Sequence, residues 1–186
     1  MSLLQKICHS IFFKRMGWHE YITVPFRKKC ILCIAPHTSN WDFILGELYY
    51  TAIGKRANFL MKKEWFFWPL GCFLRKIGGF PVYRDKKNSM TDQLAELAKN
   101  NAYFQLAITP EGTRSATGNW KKGFYYIALK ANIPILLYAI DYEKKQITCT
   151  KEIIPSGNFD EDMRAIKLYF QHFKGKHPHK FTIGEN

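Results

Sequence analysis

Two apolar runs, each breaking off into a polar loop, constrain this chain more than any other feature. Cys30-Ile31-Leu32-Cys33-Ile34-Ala35 runs without a polar residue and is followed at once by Pro36-His37-Thr38-Ser39-Asn40-Trp41-Asp42. Phe104-Gln105-Leu106-Ala107-Ile108 is followed by Thr109-Pro110-Glu111-Gly112-Thr113-Arg114-Ser115. Short apolar runs closed by turn residues read as strands buried on both faces. The same reading predicts strands over 58–61, 80–83 and 134–140, and a half-exposed strand over 146–154, where β-branched and polar residues alternate. Helices are predicted over 41–52, 65–76 with a kink at Pro69-Leu70-Gly71, 122–131 and 159–174. A further helix, capped by Asn88 or Ser89, runs to Lys99 with Leu94, Leu97 and Ala98 on its buried face. The alternation predicts an α/β fold: a single domain with a mostly parallel central sheet flanked by helices. Polar loops leaving the ends of such strands are where an open α/β sheet carries its site.

The chain has 186 residues, enough for one domain with a substantial core. We divide it into an amphipathic N-terminal segment (1–20), the main domain (21–175) and a loose polar tail (176–186). Hydrophobic residues make up 47%, which excludes a largely disordered chain. The formal net charge of +13 calls for an anionic partner: nucleic acid, an acidic lipid headgroup or a phosphorylated substrate. A nucleic-acid module would gather its bases with aromatics on one recognition element. Here they are spread along the chain, and no nucleic acid is expected. The five cysteines are odd in number and suggest no disulfide framework, so a reducing, cytoplasmic setting is expected. Cys30-x-x-Cys33 lies within a strand pattern and lacks a second ligand pair, so no metal site is expected.

No apolar run reaches the ~18 residues of a membrane span. The N-terminus does not read as a signal peptide, because Lys6, His9, Lys14 and Arg15 interrupt it. Leu3, Leu4, Ile7, Ile11 and Phe12 share one helical face. Two readings stand for that face: a helix lying in a membrane interface, or a helix docked on the sheet. Trp65-Phe66-Phe67-Trp68-Pro69-Leu70 is the densest aromatic cluster, and again both core packing and an interfacial or acyl-chain-lining role are open. Lys62, Lys63, Arg75, Lys76, Arg84, Lys86, Lys87, Lys121 and Lys122 form either a solvated basic surface or an attractor of anionic lipid and phosphate.

His37 and Asp42 have four residues between them. Histidine is the side chain whose ordinary pKa lies near neutral pH. A carboxylate beside it fixes its tautomer and stabilises its charged form, so the pair can take a proton from a bound hydroxyl without a protein nucleophile. The plainer reading is an Asp at the start of a helix with a histidine nearby. For Glu111 and Arg114 it is an ion pair inside the loop.

Four segments occur in order: His37-x-x-x-x-Asp42, Gly78-Gly79-Phe80-Pro81-Val82-Tyr83-Arg84, Glu111-Gly112-Thr113-Arg114-Ser115 and Ile133-Pro134-Ile135-Leu136-Leu137. Together they resemble the glycerolipid acyltransferase family, typified by 1-acylglycerol-3-phosphate acyltransferases. The resemblance implies transfer of a fatty acyl group from acyl-CoA or acyl-carrier protein to a lysophospholipid hydroxyl. The acceptor it points to first is 1-acylglycerol-3-phosphate, giving phosphatidic acid. It implies that His37 is the general base and that Asp42 orients it. Arg84, Glu111, Gly112, Thr113, Arg114 and Ser115 would serve the glycerol phosphate. Ser39 and Pro134 would shape the site, and Lys122 could hold a phosphate at a helix N-terminus.

Arginine's planar fork suits a phosphate, and glycine lets a backbone approach a ligand closely. The chain departs from the family in having Pro36 where asparagine often precedes the histidine, and in lacking a second proline near Leu137 and Tyr138. No bound cofactor or metal is expected, because a thioester is already activated. The expected place is the cytoplasmic face of a membrane, held peripherally by an anionic surface. The alternatives are the same site acting on another acceptor, such as another lysolipid or an acylated amino acid, and a non-catalytic basic lipid- or nucleic-acid-binding protein.

Overall fold

Burial along strand β2 (Lys29–Ala35) alternates between two cores, which places a helical layer on each side of it. Ile31, Cys33 and Ala35 belong to one buried cluster, and Cys30 and Leu32 to the other. The period of two along a pleated strand produces this separation. Cys30 and Cys33 therefore lie on opposite faces of the sheet and cannot share a metal ion. Burial drives both thiols upward in pKa, Cys30 to about 12, as expected of small core hydrophobes.

The computed structural model describes residues 1–82 and 90–184. Besides β2, its strands are β1 (His19–Ile22), β3 (Asn58–Lys62), β4 (Gly79–Val82), β5 (Phe104–Ile108), β6 (Ile135–Asp141), β7 (Gln146–Cys149) and β8 (Glu152–Ile153). They form one eight-stranded sheet in the order β1-β7-β6-β2-β5-β3-β4, with β8 also beside β6. All pairings are parallel except those of β6 with β7 and β8.

The helices are α1 (Leu3–His9), α2 (Trp41–Ala52), α3 (Leu70–Lys76), α4 (Met90–Asn100), α5 (Gly123–Ala131) and α6 (Phe159–Phe170). One face of the sheet is covered by α1, the π-helical segment Ser10–Arg15 that continues it, and α2, through Cys8, Phe12, Leu45 and Tyr49. The other is covered by α4, α5 and α6 through Leu94, Ala98, Tyr125, Ala128, Ile166 and Phe170. This is the single α/β domain with a mostly parallel sheet that the sequence predicts.

Several elements differ in detail from the sequence pattern. The strand expected over 146–154 is two strands: Ala139 pairs with Thr148, yet Leu136 pairs with Glu152, so one extra residue sits between the pairings. That is a β-bulge. Its unpaired segment is held from outside the ladder, since the Thr150 amide donates to the Tyr169 hydroxyl at 3.2 Å. The helix expected over 65–76 forms only from Leu70; a short 3-10 turn, Lys63–Trp65, precedes it. The cap expected at Asn88 or Ser89 lies outside the described residues.

The tail is anchored rather than loose. The His177 amide donates to Thr38 Oγ1 at 3.2 Å, and Lys176 lies 4.9 Å from the Trp41 ring centroid. A side chain at Gly175 would meet Thr38 Oγ1 at 2.7 Å, so only glycine permits this approach.

Leu137 is fully buried at the middle of β6. Leu137→Ala should lower the unfolding free energy by about 3 kcal/mol in urea titration. Ile154→Ala, at a position 62% exposed, should stay within about 0.5 kcal/mol of wild type.

Candidate active site

The strand order reverses at β2. From β2 the chain crosses through α2 on one face to β3; from β5, the neighbour of β2, it crosses through α5 on the opposite face to β6. The crevice between the carboxyl ends of two such strands is where open α/β sheets bind ligands. The loop from Pro36 to Asn40 leaves β2 there, the loop from Thr109 to Lys122 leaves β5 there, and Tyr142 stands just past the same end of β6.

Asp42 lies in the first turn of α2 and is 3% exposed. Its Oδ2 accepts from the amides of Thr38 and Ser39, both at 2.8 Å, and stands 3.1 Å from His37 Nδ1. Its Oδ1 accepts from the Tyr142 hydroxyl at 2.7 Å. Burial alone would push the carboxyl up in pKa. The hydrogen bonds from His37, Tyr142, Ser39 and Thr38 outweigh burial and hold it below its ordinary value. Asp42 is therefore ionised at neutral pH and can only accept, so His37 Nδ1 donates to it. The imidazole lone pair then sits on Nε2. With 19% of its side chain exposed, His37 remains open to a ligand while Asp42 is sealed.

Glu111 points inward. It is 2% exposed, and its Oε1 accepts from the His37 amide at 2.9 Å. Burial first, and then the neighbouring Asp42 charge, push this carboxyl up to about 8, against the partial relief of the His37 amide. Its carboxyl holds the histidine loop in place instead of facing a phosphate. The Arg114 Nη1 donates to Asn40 Oδ1, which bridges the β5 loop to the β2 loop. Glu111 and Arg114 therefore engage different partners in the β2 loop.

Gly112 has φ +65°, a left-handed backbone that favours glycine. The amides of His37, Thr38 and Ser39 are committed to Glu111 and Asp42. In the second loop, Gly112 donates to Thr109 O at 3.1 Å and Ser115 to Thr113 Oγ1 at 3.3 Å. Among the described residues, the Thr113 and Arg114 amides have no acceptor. Ser39 Oγ accepts from the Trp41 amide at 3.2 Å at the head of α2.

Two other sequence-predicted residues, Lys122 and Pro134, are not gathered here. Lys122 places its ammonium 4.5 Å from the Phe159 ring of α6. Pro134 precedes β6 and accepts from the Ile31 amide, at the amino-terminal ends of the strands, opposite the site. It is separated from His37 by about 20 Å of strand. Arg84 lies outside the described residues.

Beneath His37 and Asp42 a cavity of about 370 Å³ opens between α2 and the sheet. Phe43, Gly46, Glu47 and Tyr50 line it from α2, Ala57, Phe59 and Met61 from β3 and its approach, and Leu32, Ala107, Tyr138 and Ile147 from other strands. A Cβ placed on Gly46 would meet no atom within 4 Å, so this glycine opens onto free space. Sequence reading missed both the cavity and Tyr142. The signal for the first was a glycine in mid-helix, Gly46, together with small residues, Ala57 and Ala107, that line the same cavity.

The fold is thus a helix-flanked, mostly parallel sheet with a His–Asp pair at its switch point, above a cavity with mainly apolar walls. A family model described as Acyltransferase matches residues 8–141, and the chain belongs to that family. Its structure is similar to the crystal structure of the 1-acyl-sn-glycerophosphate (LPA) acyltransferase PlsC from Thermotoga maritima. The two share a TM-score of 0.61 and 18% identity, over 90% of this chain and 76% of that one. No curated protein matches the chain.

The Glu111 shift has a pH signature. Unfolded, this carboxyl titrates near 4.5; folded, near 8. Between those values the folded state keeps a proton that the unfolded state has released, so this residue makes stability fall as pH rises through the window. Glu111→Gln lacks that loss. Its stability relative to wild type should therefore grow from about pH 4.5 to about pH 8 and then level off, read by urea unfolding across that range. A difference that does not change with pH would show that Glu111 titrates normally.

Proposed function

We propose that this acyltransferase moves a fatty acyl group from a thioester, acyl-CoA or acyl-carrier protein, to the hydroxyl of a lysophospholipid, with 1-acylglycerol-3-phosphate as the leading acceptor. The observation that carries this reading is the His37–Asp42 pair standing over an apolar cavity of about 370 Å³, within the size range of small-molecule sites.

His37 Nε2 takes the proton of the acceptor hydroxyl, and the freed oxygen attacks the thioester carbonyl. The tetrahedral oxyanion needs donors. The Thr113 and Arg114 amides suit this role, because the amides around His37 are already spent. Collapse breaks the carbon–sulfur bond, and the imidazolium returns its proton to the departing thiolate. Asp42 stays ionised throughout and stabilises the imidazolium, as the carboxylate of a serine-hydrolase triad does. The Arg114 guanidinium beside Asn40 supplies charge for an acceptor phosphate.

We further propose that the enzyme works at an anionic membrane surface, peripherally and on the cytoplasmic side. Among the described residues, no helix is long and apolar enough to cross a membrane. α1 buries Cys8 against the core yet leaves Leu3 75% and Leu4 63% exposed. Trp68, at 82%, and Trp65, Phe67 and Phe73, each above half, are also exposed. Such a display of large apolar side chains on a chain of +13 net charge suits insertion among anionic headgroups.

The test is thiol release from palmitoyl-CoA and palmitoyl-carrier protein, with and without 1-acylglycerol-3-phosphate. Release should depend on the acceptor and fall about a thousandfold in His37→Ala. Release that ignores the acceptor would make the protein a thioesterase. Release seen only with other lysolipids or acylated amino acids would move the acceptor. Ala57→Leu narrows the end of the cavity away from His37, at the approach to β3, and should cut turnover of the palmitoyl donor roughly tenfold more than that of a decanoyl donor. An equal effect on both would remove the cavity from the acyl site.

A further inference from the structure

Glu47 is out of place. It lies on α2, five residues after Asp42, and lines a cavity whose other walls are mainly apolar. Neighbouring Gly46 leaves open space beside it. Among the described residues, the Glu47 carboxyl has no hydrogen-bond or ion-pair partner, and burial alone pushes it up to about 7. A carboxyl with that environment carries its proton in about half the molecules at neutral pH and can both donate and accept. An unpartnered carboxyl opposes the binding of a plain hydrocarbon, because the chain would strip its water and give nothing back. A chain that brings its own hydroxyl removes that cost.

We propose that the cavity is built for an acyl chain bearing a hydroxyl group on its carbonyl-proximal half, with Glu47 as the hydroxyl's partner. This rests on the cavity being the acyl site of the proposed transfer.

Position supports the proximal half. Five residues of α-helix advance about 7.5 Å from Asp42. Helical side chains lean back toward the N-terminus, which brings the Glu47 carboxyl closer to His37 than its Cα is. The carboxyl therefore meets the first carbons beyond a thioester held at His37, not the far end of a long chain. Of the tyrosines that line the cavity, Tyr50 and Tyr138 are bonded to each other, and the Tyr49 hydroxyl donates to Glu20 Oε2 at 2.6 Å. Glu47 is left as the polar group in need of a partner. No covalent step is added: the hydroxyl only binds, and the transfer chemistry at His37 is unchanged.

The experiment pits 3-hydroxypalmitoyl-CoA against palmitoyl-CoA in one pot, and 16-hydroxypalmitoyl-CoA against palmitoyl-CoA in a second, for wild type, Glu47→Leu and Glu47→Gln. Wild type should favour the 3-hydroxy donor in kcat/KM by about tenfold, the discrimination expected of one neutral hydrogen bond at a partly exposed site. Glu47→Leu should bring the ratio to near one, with palmitoyl-CoA gaining as the unpartnered carboxyl is removed. Glu47→Gln, which keeps the hydrogen bond without the charge, should retain most of the preference, and the terminal hydroxyl should earn none. A wild-type ratio at or below one, or a preference that survives Glu47→Leu, would overturn the proposal.

A second arm reads the cavity without turnover, through displacement of a bound fluorescent fatty acid by 3-hydroxypalmitate and by palmitate. Displacement in the expected order without thiol release from any donor would uphold the cavity's preference while sinking the transfer reading. Normal release without the preference would do the reverse.

Discussion

The rest of the site depends on one buried charge. Asp42 is a carboxylate sealed from water at the start of α2, and a sealed carboxylate is stable only if its oxygens are fully engaged. Its donors come from the His37 ring, the Thr38 and Ser39 amides and the Tyr142 hydroxyl. Those bonds fold the β2 loop back onto the helix that follows it and tie the end of β6 to both. The N-terminal end of α2 adds favourable potential for the charge. Loop shape, helix start and histidine tautomer are thus consequences of satisfying one side chain. Removing any donor would loosen the geometry as well as the electrostatics.

Three carboxyls near this end of the sheet behave differently because their surroundings differ. Asp42 is surrounded by donors and held ionised. Glu111 is as deeply buried but receives one amide and faces the Asp42 charge, so it is driven up to about 8. Glu47 has burial without a partner and sits near 7. Environments that push neighbouring carboxyls apart allow one site to keep a fixed charge and hold protonated groups beside it. The like charge of Asp42 is part of what keeps Glu111 neutral, so burying Asp42 ionised helps set the state of the group that braces His37.

Where the architecture is dictated by local pattern, it was legible in the sequence. The apolar run of β2 and the helix read over 41–52 gave both elements to within one residue, and with them the placement of His37 and Asp42. β1 left no such trace, because most of its short span is exposed and carries no alternation. The bulge between β7 and β8 depends on Tyr169, a partner on another element, and no local pattern announces it. Tyr142 lies 100 residues from Asp42, a separation that only the folded sheet closes. Motif order likewise cannot say at which end of the sheet a strand begins, so Pro134 was expected beside the site and lies at the far end of the strands. The tail looked unstructured because its anchors, the His177 amide on Thr38, Lys176 on the Trp41 ring and Phe181 and Ile183 on the core, reach distant elements and leave no local periodic pattern.

The reversal of strand order at β2 gives the site two unlike sides. Because α2 and α5 leave neighbouring strands toward opposite faces, the crevice between them cannot be lined by one kind of surface. On the α2 side it opens into the apolar cavity; on the side of the β5 loop it presents Arg114, Asn40 and the amides of Thr113 and Arg114. His37 stands between them, braced from the loop side by Glu111 and from the helix side by Asp42. On the proposed reading, an acyl chain enters from one side and a phosphate-bearing acceptor from the other, so that they meet only at the histidine. Neither substrate need pass the other, and the reacting atoms are brought together by the topology of the sheet before any side chain moves.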